Sequence, residues 1–149
     1  GLIVNRKQVK SQTVLQLETS VGSALNFFPD ALGMNVPRSR FLPVKKTSDL
    51  LLIQSDFYCI ERGVLKRNPI RSKSSLPIIN LEDPFTDLKE YQKRIPISPD
   101  IMELDALELE GQVRFNGKVT LKGTVRLVSK KKSLRVPKGK VLDNKIVEQ

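Results

Sequence analysis

The chain has 149 residues, a formal net charge of +10 and 39% apolar residues. No segment approaches the ~20 consecutive apolar residues of a membrane-spanning helix, so we expect a soluble protein without membrane contacts. A single cysteine and the absence of histidine exclude an intramolecular disulfide, Ser-His-Asp triads and histidine-based metal sites. One unpaired cysteine suits a reducing compartment, and we expect a cytoplasmic protein.

The excess of positive charge predicts an anionic partner. Nucleic acid is one class of partner for a basic surface. Against it, aromatic residues make up only 5% of the chain, which leaves few side chains on which bases could stack. Phosphorylated small molecules fit the charge equally well, and so does an acidic remainder of a larger protein.

The first thirty residues contain two apolar patterns. Leu2 to Val4 form a short apolar run that predicts the end of a buried strand. From Val14 onward the spacing changes to three and four residues, which is typical of one helix face ending before Pro29. The residues of this predicted face are Leu17, Val21, Ala24, Leu25 and Phe28.

Residues 36–45 form a basic segment punctuated by two prolines. Pro37 and Pro43 fix their own φ angles and favour extended backbone before them, so this segment should be stiff. It would present Arg38, Arg40 and Lys45 at the start of a helix, where a lysine and free backbone N–H groups are suited to binding phosphate. The alternative is a solvated basic loop packed by neighbouring apolar residues.

A helix is predicted directly after this segment. Thr47 or Ser48 can cap it, and Asp49 would lie in its first turn, where the helix dipole favours a carboxylate. Residues 50–53 are apolar on all sides, as expected of a helix buried in a larger body.

The middle of the chain alternates loosely and then becomes polar. Residues 57–65 suggest a strand or coil with Gly63 at a turn or bulge, and the basic residues 66–75 suggest a linker or exposed loop. A second helix should begin at Asp83 and Pro84, and end before Pro96.

Residues 107–127 repeat with a period of six. Three series share this period, and each supplies one residue to a hexad: Leu107, Val113, Val119 and Val125; Leu109, Phe115, Leu121 and Leu127; Gly111, Gly117 and Gly123. The two apolar residues of a hexad point to the same side of a strand, and the glycine supplies a corner where positive φ costs little. This pattern predicts a hexapeptide β-helix rather than a meander of short hairpins, which would reverse direction at every hexad.

Two polar features accompany the repeat. Residues 129–133, with the sequence SKKKS, interrupt it and should bulge outward as a charged loop. A group of carboxylates could suggest acid–base catalysis, but their alternation favours a solvated face. These residues are Glu103, Asp105, Glu108 and Glu110.

Several motifs together resemble those of eukaryotic UTP:glucose-1-phosphate uridylyltransferases, also called UDP-glucose pyrophosphorylases. They are VPRSRFLPVKKTSDLLL from Val36, QLETSVGSAL from Gln16, LDALELEGQVRFNGKVTLKGTV from Leu104, and DNKIV from Asp143. In that family the lysine after FLPV contacts the substrate phosphates, which implies this role for Lys45. Arg38 and Arg40 either bind phosphate or brace the loop.

The resemblance implies the C-terminal portion of such an enzyme. Residues 1–76 would be the end of an α/β nucleotidyltransferase domain, and residues 77–149 a helix followed by a short left-handed hexapeptide β-helix, the hand being implied by the resemblance alone. The implied reaction converts UTP and glucose 1-phosphate to UDP-glucose and pyrophosphate with Mg²⁺, and we predict no metal ligand in this chain. The glycine-rich nucleotide loop is not found in it, so we expect the isolated chain to be inactive.

A β-helix end exposes unpaired strand edges, so self-association through the C-terminal module is also expected. Two other functions stay open from the sequence. The chain could act only as an assembly or regulatory module, or its basic surface could bind nucleic acid.

Overall fold

The computed structural model describes residues 1–149 apart from the side chain of Ser39, and the chain divides into two compact units, residues 1–41 and residues 42–149. The hydrophobic core belongs to the second unit, and its buried members begin at Leu51. The predicted boundary between residues 76 and 77 concerns the domains of a longer protein and stays a prediction.

The first unit begins with a two-stranded antiparallel hairpin. Strand β1 (Leu2–Val9) pairs with β2 (Gln12–Thr19), with Val4 opposite Leu17. Lys10 and Ser11 form the two-residue turn, both with positive φ (47° and 69°), as a primed hairpin turn requires. A 3-10 helix at Val21–Phe27 and a short one at Arg38–Arg40 follow.

The helix predicted from Val14 is wrong over its first half. Residues 12–19 are a strand, and helical backbone begins only at Val21 as a 3-10 helix. Thr13 and Val14 are β-branched, and Leu15 and Leu17 alternate with polar residues, so this segment also carries the period of a strand. Pairing with β1 satisfies the backbone groups of both segments and decides between the two patterns.

The second unit opens with helix α1 (Thr47–Gln54), followed by an antiparallel hairpin of β3 (Tyr58–Glu61) and β4 (Val64–Arg67). The turn predicted at Gly63 is confirmed, with φ values of 50° at Arg62 and 76° at Gly63. Helix α1 is only half-buried. Leu51 is fully enclosed, whereas Leu50 and Leu52 are partly buried against the core.

The second helix begins later than predicted. Strand β5 (Ile78–Leu81) precedes it, and α2 spans Leu88–Arg94. Its cap is Asp87, which accepts the N–H of Glu90 at 3.0 Å, rather than Asp83. Asp87 satisfies an N–H of the first turn that would otherwise lack a partner, and residues 83–86 form turns instead.

A parallel sheet forms the body of the second unit. Strands β6 (Asp100–Phe115) and β7 (Thr120–Val136) pair in parallel, and β5 pairs with the outer edge of β6. On the other side of β7 lie two short strands, β8 (Val141–Asp143) and β9 (Ile146–Glu148), also parallel to it. The chain therefore has an α/β fold with a parallel sheet, not a meander of antiparallel hairpins.

The register places the repeating apolar residues of neighbouring strands side by side. Leu107 pairs with Val125 and Leu109 with Leu127, so partners lie 18 residues apart. All four of these side chains are at most 1% exposed. The predicted burial of Val119 and Leu121 is also confirmed, with exposures of 1% and 0%.

Two glycines of the repeat and the charged SKKKS segment depart from regular strand geometry. Gly111 and Gly123 have positive φ (76° and 60°), and an added Cβ would lie 2.2 Å from the Ser129 carbonyl oxygen and 2.3 Å from Asn144 Oδ1. The register then jumps from the pair Gly111 and Ser129 to the pair Val113 and Leu134. The charged segment is therefore part of β7 rather than a loop. Residues 130–133 are the extra residues at this register shift, and Lys130, Lys131 and Lys132 are exposed. Among the described residues, no helix is long and apolar enough to span a membrane.

Candidate functional site

Lys45 lies at the rim of two adjoining clefts beside the start of α1. The first, of about 290 Å³, lies between residues 45–48 and the segment formed by the end of β5 and the residues after it. The second, of about 280 Å³, lies between residues 44–50 and the turn before α2. Thr86 contributes to both clefts, and Asn80 and Glu82 line the first. The Lys45 side chain is exposed, so its ammonium group is accessible to a ligand in this cleft.

Asp49 fixes the backbone that carries Lys45. Its Oδ2 accepts the N–H of Lys45 and the N–H of Lys46, each at 2.9 Å. These two donors hold the pKa of the Asp49 carboxyl below its usual value, mainly through the Lys45 N–H. Lys46 therefore occupies the cap position of α1, which corrects the prediction of Thr47 or Ser48. A carboxylate in the first turn reaches back to the chain, so a cap hydroxyl is not needed.

Replacing Asp49 with alanine should lower the free energy of unfolding by about 1 kcal/mol at pH 7, because two backbone donors lose their acceptor. The pKa of Asp49 in the folded protein lies below its ordinary value of 3.8. The stability that Asp49 contributes is therefore complete above the unfolded-state pKa and is lost as the pH falls through the lower, folded-state pKa. Urea unfolding of both proteins at pH 7 and near pH 3 measures the difference. Asp49→Asn keeps the acceptor oxygen, so its difference from wild type in unfolding free energy should depend less on pH. A difference between wild type and Asp49→Ala that is the same at both pH values would contradict this role.

Arg38 and Arg40 belong to the first unit. Both are exposed, and the guanidinium of Arg38 lies 4.6 Å from the centre of the Phe41 ring. A cation stacked on an aromatic face braces the turn that holds it. This contact supports the bracing role for Arg38, and the phosphate role of either arginine stays a prediction.

The burial of Arg71 does not follow from the sequence, because the basic, polar residues 66–75 predict a linker or exposed loop. Its side chain is 7% exposed, and its guanidinium donates to the carbonyl oxygens of Ile101 (3.2 Å), Leu104 (3.0 Å) and Ser75 (3.2 Å), as well as that of Met102. It also lies 5.0 Å from the centre of the Phe57 ring. Arg71 therefore ties the segment after β4 to the start of β6.

A second contact joins the residues just after α1 to the start of β6. Asp56, just after α1, accepts the N–H of Ile101 at 2.9 Å. Burial raises the pKa of the Asp56 carboxyl, and a side-chain hydrogen bond with Asp100 adds to the rise. Asp56 therefore attaches the end of α1 to the first strand of the parallel sheet, beside the place where Arg71 attaches the segment after β4.

The carboxylates at the start of β6 form ion pairs on the outer face of the sheet. Glu103 pairs with Lys122 at 2.7 Å, Glu108 with Arg126 at 3.0 Å, and Glu110 with Lys130 at 3.3 Å, while Asp105 pairs with Lys73. Their partners are cations and their side chains are solvent-accessible, which agrees with the solvated face predicted for them. In the part of the chain that the structure describes, no three His, Cys, Asp or Glu side chains cluster as a metal site would require.

Comparisons with known proteins agree with the family resemblance of the sequence motifs. The family model described as UTP–glucose-1-phosphate uridylyltransferase matches residues 1–122. A curated protein of that name from Hordeum vulgare is 49% identical over 145 residues, which cover 97% of this chain and 31% of the relative.

Solved structures show the same similarity in three dimensions. The crystal structure of UDP-glucose phosphorylase from Trypanosoma brucei matches with a TM-score of 0.77 and 29% identity, covering 99% of this chain and 34% of the other. A variant of UDP-glucose pyrophosphorylase from Leishmania major, in complex with UDP-glucose, matches with a TM-score of 0.75 and 28% identity, covering 99% and 33%. The chain thus spans about a third of the length of these proteins, and it belongs to the UTP–glucose-1-phosphate uridylyltransferase family.

Proposed function

We propose that this chain is the C-terminal part of a UDP-glucose pyrophosphorylase, which forms UDP-glucose and pyrophosphate from UTP and glucose 1-phosphate. The family match over residues 1–122 supports this activity, as does the complex of the Leishmania major relative with UDP-glucose. The single cysteine suits a cytoplasmic enzyme.

The observation that carries the proposal for Lys45 is its position. It is an exposed ammonium group beside a cleft, on a backbone that Asp49 holds through two hydrogen bonds. In the reaction a phosphate oxygen of glucose 1-phosphate attacks the α-phosphorus of UTP, and the bond to the leaving pyrophosphate breaks. Negative charge increases on the non-bridging and leaving oxygens, and a positioned ammonium group stabilises that charge without forming a covalent intermediate.

The phosphate contact is assigned to Lys45 Nζ rather than to the backbone. From the sequence, free backbone N–H groups at the start of the helix are also expected to bind phosphate. The N–H groups of Lys45 and Lys46 already donate to Asp49, and a carboxylate at that position repels a second anion. The flexible lysine side chain can reach beyond this carboxylate into the cleft.

Mg²⁺ is the cofactor implied for the whole enzyme, where it would neutralise phosphate charge. The described residues near Lys45 do not fit a magnesium site. Asp49 is occupied by two backbone donors, Glu82 is the one carboxylate among the described residues that line the first cleft, and the described side chains form no three-carboxylate group. A Mg²⁺ site in this enzyme therefore takes its ligands from other parts of the protein or from the substrates.

The test of this function compares two proteins. The enzyme that contains this chain should form UDP-glucose from UTP and glucose 1-phosphate with Mg²⁺ present, and the 149-residue chain alone should form none. Release of pyrophosphate measures the first result, and chromatography of the nucleotide sugar confirms the product. Turnover by the isolated chain in a clean preparation would contradict the assignment, as would an inactive longer protein that is correctly folded.

We further propose that residues 100–148 form a hexapeptide β-helix, left-handed as in the family that the sequence resembles. The supporting observations are the parallel pairing, the spacing of 18 residues between partners through residues 106–111, which is three hexads, and the burial of the inward positions. Three hexads in each coil would place every apolar position above its equivalent one coil earlier.

Self-association through the far end of this module is part of the same proposal. Strands β8 and β9 have three residues each and, among the described residues, no further strand beside them. Val141 and Ile146 are 51% and 63% exposed there. Residues 130–148 nevertheless carry seven cations and two carboxylates, so two such ends repel each other at low salt.

Salt should therefore strengthen the self-association. Equilibrium sedimentation at low and high ionic strength, with protein near 100 μM (about the range where a contact worth ~6 kcal/mol is detected), should show an increase in mass with salt. A monomer at both ionic strengths would exclude an interface of this strength.

A further inference from the structure

The outer face of the β6 and β7 pair arranges its charges in rungs, each formed by two residues that face each other across the strands. Glu103 faces Lys122 and Glu108 faces Arg126, and both rungs form ion pairs, at 2.7 Å and 3.0 Å. Arg126 has a second carboxylate, Glu148 of β9. Opposite charges across a strand pair stabilise it, so these rungs are complete without a ligand.

The rung near the end of both strands departs from this arrangement. Arg114 faces Arg135 in the register, and both side chains are exposed, while their neighbours Phe115 and Val136 are buried. Alternation along the strands therefore points both arginines outward, to the same side. Among the described residues, neither forms an ion pair with a carboxylate. Like charges facing each other across strands destabilise the pair unless an anion lies between them.

More cations surround this arginine rung, defined as Arg114 and Arg135. Residues 114–118 and 135–140 contain three lysines in addition to the two arginines and no acidic residue. The stem of Lys138 packs against Gly117, since an added Cβ there would lie 3.0 Å from Lys138 Cβ and Cγ. This contact holds the Lys138 stem close to the end of the strand that carries Arg114, three residues after that arginine.

We propose that the arginine rung binds a phosphoryl group, either inorganic phosphate or a phosphomonoester. Neighbouring strands are about 4.8 Å apart, so two arginines of one rung can direct their planar donor groups to the same tetrahedral anion. Guanidinium groups bind phosphate oxygens in pairs, and a doubly charged anion removes the repulsion between the arginines. A phosphoryl ligand fits because each of the two guanidinium groups presents paired N–H donors and because neither segment, 114–118 or 135–140, contains an acidic residue.

The test is a calorimetric titration of the 149-residue chain with inorganic phosphate, and in parallel with glycerol 3-phosphate, at low and constant ionic strength. Binding of either ligand supports the proposal, and the tighter one identifies the form that the rung takes. Arg114→Gln and Arg135→Gln should each weaken binding by about tenfold, since each loses charged hydrogen bonds. Arg126→Gln is the matched control: it removes the same charge from the same face, and its affinity should stay within about twofold of wild type.

Lys45→Ala separates this site from the cleft beside α1 and should leave the affinity unchanged. A second readout is thermal stability at low salt, where phosphate should raise the Tm of the wild type but not that of Arg135→Gln. Three results would overturn the proposal: no binding at millimolar ligand, equal weakening by all three arginine substitutions, or binding that depends on Lys45 instead.

Discussion

Replacing Lys45 with alanine in the enzyme that contains this chain should lower kcat by about 10² to 10³. The reason is the loss of a positioned charge beside oxygens that become more negative in the transition state, an effect of this size for a single stabilising donor. Substrate binding draws on other groups as well, so KM should change less than kcat. Steady-state rates of UDP-glucose formation at saturating UTP and glucose 1-phosphate measure both values.

Lys46→Ala is the matched control for this experiment. Lys46 carries the same charge one residue later, and its N–H donates to the same Asp49 oxygen as that of Lys45. Alanine keeps both backbone N–H groups, so neither variant removes the cap of α1. We expect a much smaller decrease in kcat for Lys46→Ala. If Lys45→Ala leaves kcat and KM unchanged, Lys45 has only a structural role on an exposed loop.

The largest loss of stability should come from the centre of the parallel sheet. Leu121 is fully buried and faces Leu142 of β8. Leu121→Ala should therefore lower the free energy of unfolding by roughly 2 to 5 kcal/mol, because it removes buried methyl groups and leaves a cavity that rigid neighbouring strands fill poorly. Urea unfolding followed by far-UV circular dichroism measures this change from the midpoint at a constant slope.

Leu76→Ala makes the same substitution at a side chain that is 51% exposed, just before β5. It should change stability by less than about 1 kcal/mol, as is usual at the surface. A loss for Leu121→Ala as small as that of Leu76→Ala would show that the sheet tolerates a cavity at its centre. The packing of repeated apolar positions would then not be the main source of stability.

The buried positions of β6 and β7 are the part of the fold most easily predicted from the sequence. Their signal is local, since every hexad contains two apolar residues on one side of the strand, and the positive φ of Gly111 and Gly123 follows from the same pattern. The hairpin of β1 and β2 was misassigned because residues 14–28 also show helical spacing. Residues 12–19 form a strand because they pair with residues 2–9. The periodicity of a single segment does not reveal such a pairing.

Contacts between distant residues were hidden from the sequence for the same reason. Arg71 is buried by carbonyl groups 30 to 33 residues away, and a basic, polar segment around it predicts exposure. For the candidate site, the sequence points to Lys45 through the basic segment before α1 and through the family resemblance. The Asp49 carboxylate that accepts two backbone N–H groups is visible only in the structure. The like-charged rung of Arg114 and Arg135 likewise depends on a register across strands.

The structure of the whole enzyme with UDP-glucose and pyrophosphate will show whether Lys45 contacts the phosphates. We expect Lys45 Nζ within about 2.7 to 2.9 Å of a phosphate oxygen, with the Asp49 carboxylate still accepting the N–H groups of Lys45 and Lys46. A complex with both ligands fully occupied, in which Lys45 Nζ points to solvent and another cation contacts the phosphates, would contradict it.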